Sequence, residues 1–180
     1  EFQIPYFGTD SSRNQVNTLV AKRRRNVSYT KKELKNYLKR LEKDKSGLSS
    51  FTFEYRSGHT AFHSRTRIIM TPEKIVLSKI PKGIPVDKDE EKAAKVRNMA
   101  FSEDALLNFI KELIDRKIWD MENCTERALP DTALLSFMIR DGDNLLFEQK
   151  VWENCRNDDK RTKELIRSLA AILPRDWPPP

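Results

Sequence analysis

Two histidines, two cysteines and a dense run of lysine and arginine are the residues of this chain that could do chemistry. His59 and His63 stand four apart in "GHTAFH". On a helix that spacing lets two imidazoles share a metal, but this stretch reads as a loop entering a strand. There, positions i and i+4 lie more than about 12 Å apart. A metal site needs a third protein group and none is signalled nearby, so no metal or other cofactor is expected. A Cys–His nucleophile would need Cys124 or Cys155 beside one of these histidines, and no local motif supports it. The carboxylates in "DKDEEK" and "NDDKR" read as loop and helix-start acids. "DGD" at 141–143 reads as hairpin turn chemistry rather than a calcium loop, and five glycines in the chain leave no room for a phosphate-binding loop. The expectation is a protein that is not an enzyme. An enzyme built on the His59/His63 loop ranks third among the readings, since it requires those side chains and Cys or acidic groups to converge in one pocket.

The charge is more informative. Of the net +7, residues 1–50 carry all: they hold 12 Lys/Arg against 5 Asp/Glu, while residues 51–180 hold 22 of each. A localised excess implies a localised role. Lys22, Arg23, Arg24 and Arg25 form an undiluted run. Lys31, Lys32, Lys35, Lys39, Arg40 and Lys43 follow on a helix and lie off its apolar stripe. Such a field attracts polyanions, and contacts to phosphates would weaken steeply with salt through counterion release. The competing reading is a solvated helix face, diluted by Glu33, Glu42 and Asp44.

Cys124 and Cys155 flank a hairpin whose tip is "RDGDN", residues 140–144. Folding the chain there brings the two within a few residues of register, so a disulfide across the open end is geometrically reasonable, as are two ordinary thiols; a bridge would argue for an oxidising compartment. Phe2, Tyr6 and Phe7 in the opening segment, and Trp177 beside Pro178 to Pro180, are aromatic candidates for docking onto a protein partner. No run approaches about 18 consecutive apolar residues, so no membrane span is expected.

The elements that must position these groups follow from capping and periodicity. Residues 1–29 read as an extended basic and aromatic arm. Thr30 with Glu33 forms a capping box that opens a helix over 30–46, with Leu34, Tyr37, Leu38 and Leu41 on one stripe and Gly47 placed to end it. "FTFEYRS" alternates as a half-buried strand, and "RTRIIM" and "KIVLSKI" are two more around the turn "TPEK", completing strands within 51–80. Residues 81–100 read as a charged connection, helical over 88–97. Ser102 starts a second helix, 102–118, whose wide apolar face suits a sheet. A hairpin over 132–152 and a final helix over 159–173 complete a single domain of residues 30–173, and 174–180 is a proline-rich tail. The fold class is therefore α+β: an antiparallel sheet of about five strands with the two amphipathic helices packed on one face, preceded by a basic N-terminal helix.

Residues 51–59, "FTFEYRSGH", followed by two strands, an amphipathic helix and a hairpin, are loosely similar to the opening and element order of the Mago nashi family. The likeness is carried by Phe51, Tyr55, Gly58 and His59. It implies a protein-binding scaffold and transfers no residue roles. The leading functional expectation is a non-enzymatic protein-interaction module that binds a protein partner through its sheet face, arm or tail. The alternative is a nucleic-acid-associated protein contacting phosphates through Lys22 to Lys43.

Overall fold

Thr30 and Glu33 start the first helix as their spacing predicts. In the computed structural model of the chain, which describes residues 30–58, 64–83, 94–122, 132–175 and 177, the Glu33 N–H donates to Thr30 Oγ1 at 3.2 Å and the Thr30 N–H donates to Glu33 Oε2 at 2.6 Å. Both bonds satisfy groups that a helix start leaves without a helical partner. Helix α1, Lys31–Asp44, buries Leu34, Tyr37, Leu38 and Leu41. The sequence places Gly47 as its stop, but Lys45 takes the left-handed conformation at φ 58° and donates its N–H to the Leu41 carbonyl. Gly47, at φ 82°, instead precedes the short 3-10 turn Leu48–Ser50.

The strands follow. β1 (Phe51–Ser57), β2 (Arg65–Met70) and β3 (Lys74–Ile80) coincide with the three alternating segments. β5 (Leu134–Asp141) and β6 (Asn144–Trp152) make the expected hairpin around Gly142, whose φ is +56°. One antiparallel sheet holds them in the order β4-β3-β2-β1-β5-β6.

Its sixth strand, β4 (Lys95–Ala100), corrects the reading of residues 81–100 as a connection with a helix over 88–97. Residues 95–97 are strand, and 84–93 lie outside the described residues. β4 is an edge strand that leaves most of its side chains exposed, so it carries little of the apolar alternation that marks a strand in a sequence. Its order comes from main-chain pairing with β3, Ile75 opposite Met99 and Leu77 opposite Arg97.

Two further helices share a face of the sheet with α1. Ser102 caps α2 (Glu103–Asp115) by accepting the Ala105 N–H at 3.2 Å, and Asp159 caps α3 (Lys160–Ile172) by accepting from Thr162 N at 3.1 Å. α2 ends three residues short of the expected Ile118, which begins a 3-10 turn, Ile118–Asp120. One alternation of the strands, Phe51, Phe53, Tyr55, Ile68, Met70, Ile75, Leu77, Phe137 and Ile139, is buried in a single core with Leu34, Leu38 and Leu41 of α1, Leu106, Phe109 and Ile110 of α2, and Leu165 and Leu169 of α3. Phe53 and Phe109 meet edge to face at 5.0 Å, an arrangement favoured by the ring quadrupoles. α1 is thus part of the helical layer, tied to α2 by Lys45–Glu103 at 2.6 Å.

Candidate functional site

The other alternation of the same strands carries the polar residues. Register places Arg67 of β2 opposite Arg56 of β1, Arg56 opposite Ser136 of β5, and Ser136 opposite Lys150 of β6. These four form one transverse row spanning three interstrand gaps, about 14 Å at normal strand spacing. The next row on this face holds Ile69, Glu54, Met138 and Glu148.

Glu54 organises the centre. Its side chain is only 5% exposed, and its Oε1 accepts from the Arg56 Nε at 2.6 Å and from the Arg67 Nε at 2.5 Å. A carboxylate out of water demands such charged partners. At the end of the row, Lys150 Nζ is 2.9 Å from Glu148 Oε1. Arg56, Arg65, Arg67 and Lys150 line a cleft of about 320 Å³ whose apolar wall includes Ile80, Leu134 and Met138. Gly58 permits the corner behind it: at φ +130°, a Cβ there would lie 2.6 Å from the Arg65 Cα. That close approach draws the start of β2 against the end of β1, so Arg65 reaches the cleft.

The helix cations lie on the opposite side of the molecule. At 3.6 residues per turn, the buried stripe of α1 puts Lys32, Lys39 and Lys43 at its solvent apex, next to Asn36. Glu33 and Asp44 fall on one flank and Glu42 on the other, so acids border this stripe without interrupting it. The remaining basic residues of α1 have local partners. Lys31 pairs with Asp120 at 3.1 Å. Lys35 sits 5.7 Å above the Trp119 ring, and Arg40 lies 5.5 Å from the Tyr37 ring.

Other sequence candidates divide. Phe2, Tyr6, Phe7, Lys22 to Arg25, His59, His63 and Cys124 lie outside the described residues. Cys155, buried in the turn after β6, is disulfide-bonded. Trp177 packs half-buried against the core, and its backbone N–H donates to the Pro174 carbonyl at 2.9 Å. Among the described residues no cluster of His, Cys, Asp and Glu could hold a metal ion, and no helix is long and apolar enough to cross a membrane.

The residues that sequence reasoning missed are Glu54, Arg56, Arg67, Ser136 and Lys150. Each reads as an ordinary outward position of a strand, and only the cross-strand register brings them together.

Neither a family model nor a curated protein matches the chain. The likeness to the Mago nashi family stays at four positions, of which Gly58 has a local reason in the strand corner.

Proposed function

We propose that this chain is a protein-interaction module that takes an acidic, partly apolar segment of a partner at the cleft on the face of its sheet away from the helices. The observation that carries this reading is the cleft itself, which Arg56, Arg65, Arg67 and Lys150 line together with Ile80, Leu134 and Met138, with Glu148 its one acidic lining residue among those described. Guanidinium and ammonium groups favour carboxylates, and the aliphatic wall gains from covering apolar side chains. Nucleic acid suits this surface less well, because single-stranded binders stack bases on aromatic platforms and the wall here is aliphatic.

The test is amide chemical-shift mapping of the full chain with a synthetic peptide of alternating glutamate and leucine. Shifts centred on Ser136, Met138 and Lys150, diminishing with added salt, are expected. Shifts confined to the helical side, or none at peptide saturation of the measurement, would sink the reading.

A second reading has its own support in the Lys32, Lys39 and Lys43 stripe, uninterrupted by acids. Here α1 lies along a nucleic-acid backbone and contacts phosphates. Oligonucleotide binding by the full chain, compared with a Lys32→Gln, Lys39→Gln, Lys43→Gln variant, decides it: the variant loses binding if the stripe is the contact and keeps it otherwise.

A further inference from the structure

We infer that the arginine pair of the cleft is a subsite for a phosphate monoester, the phosphorylated serine or threonine side chain of the bound segment. This rests on the reading of the cleft as a protein-binding site and names what one part of it recognises.

Arg56 and Arg67 stand directly opposite each other on adjacent strands, where like charges destabilise a sheet. A local rule broken inside a cleft points to function more than to stability. Glu54 relieves the conflict while fixing the geometry. It accepts both Nε–H groups on one oxygen, Oε1, so the two guanidiniums must stand side by side. Bound to Glu54 through Nε, each keeps the terminal NH₂ groups of its planar guanidinium for a further partner, and both residues line the cleft. Ser136, opposite Arg56 in the row, is a buried part of the cleft lining.

Charge selects the ligand. Two guanidiniums and one Glu54 carboxylate leave one positive charge at the pair, while Lys150, further along the cleft, is matched by Glu148 at 2.9 Å. A carboxylate fills one arginine fork and brings one negative charge. A phosphate monoester brings about 1.5 to 2 negative charges and three acceptor oxygens, enough for two forks at once. Glu54 is a positioning residue here: it touches the arginines, not the ligand.

The experiment uses the full chain and three fluorescent peptides of the alternating glutamate–leucine type, identical except for serine, phosphoserine or glutamate at the centre. Phosphoserine is expected to tighten binding about tenfold over serine, as a gained pair of charge-assisted forks should, and to exceed glutamate. Arg56→Lys and Arg67→Lys keep the charge but remove the fork, so each should erase most of the phosphoserine preference, read as the ratio of phosphoserine- to serine-peptide affinity within the same variant. Glu54→Gln raises the local positive charge. A purely Coulombic site would then prefer phosphate more, whereas a positioned pair prefers it less. Thermal melts confirm that each variant is folded.

Serine and phosphoserine peptides binding equally would overturn the subsite and leave the peptide surface standing, as would a preference that survives Arg67→Lys. Inorganic phosphate titrated alone, read by the Nε–H resonances of Arg56 and Arg67, separates the remaining cases. Shifts there without binding of any peptide support the oxyanion chemistry and sink the partner reading; no shifts and no peptide binding overturn both.

Discussion

Gly58 and Gly142 show how differently two glycines at strand ends can matter. Both hold positive φ, +130° and +56°, but a Cβ at Gly142 would meet open space, whereas one at Gly58 would lie 2.6 Å from the Arg65 Cα. Gly142→Ala therefore costs only the backbone preference, on the order of 1 kcal/mol. Gly58→Ala must also push β2 away from β1, so a loss on the order of 2–3 kcal/mol is expected from strain at a φ that residues with a side chain avoid. Urea unfolding of the two variants in parallel checks the difference, and equal losses would mean that the strand corner yields freely. The Gly58 variant should also bind the acidic peptide less well, because Arg65 moves with the corner. At this scale, legibility depends on sequence distance. Thr30 and Glu33 are three apart, and their mutual capping can be read directly from the letters. Arg56 and Arg67 are partners only because Glu54 and Ile69 lie opposite each other, a pairing offset that the loop between the strands determines and that neither strand records.

Elements with an apolar stripe or alternation were legible to within a residue or two, since burial imposes the pattern that reveals them. β1, β2 and β3 begin and end where the alternation does. β4 was not legible, because an edge strand held by main-chain bonds needs no apolar code and five of its six side chains are exposed. α1 is the element whose two faces serve different ends. Its apolar stripe joins the core, and the Lys32, Lys39 and Lys43 apex faces solvent. If that apex contacts phosphates, replacing the three lysines by glutamine lowers the slope of log affinity against log salt by roughly 3, one per lost contact. An unchanged slope would assign the oligonucleotide contact elsewhere on the chain. Cleft binding of the acidic peptide should be indifferent to this variant, since the sheet and its buried core separate the two surfaces.

At the scale of the molecule, summed charge hides the cleft: residues 51–180 balance at zero, yet the fold gathers Arg56, Arg65, Arg67 and Lys150 on one side. The same folding buries titratable groups that no count of charges reveals. Tyr55 lies fully buried on the core side of β1, its ring 5.3 Å from that of Phe137. Burial, the largest cause, pushes its phenol from the ordinary 10.0 up to about 12. Tyr37 shifts the same way, through burial first and then the Asp141 carboxylate. A raised phenol means that the folded state keeps its proton where the unfolded chain releases it, so above pH 10 the unfolded state binds fewer protons and stability falls as pH rises. Below pH 10 the contribution is constant. Each tenfold difference in proton affinity is worth about 1.4 kcal/mol, so Tyr55 alone withdraws on the order of 2–3 kcal/mol as pH climbs from 10 towards 12. Lys45, raised by its hydrogen bond to Glu103, acts in the same direction because its pairing is lost as it deprotonates. Replacing Tyr55 by Phe keeps the ring and removes the titration, which isolates the phenol from every lysine. Urea unfolding at neutral pH and near pH 12 should show the parent protein losing more stability than Tyr55→Phe. Parallel losses would mean that the Tyr55 hydroxyl reaches water in the folded state, and that the core beneath the sheet is looser than its packing implies.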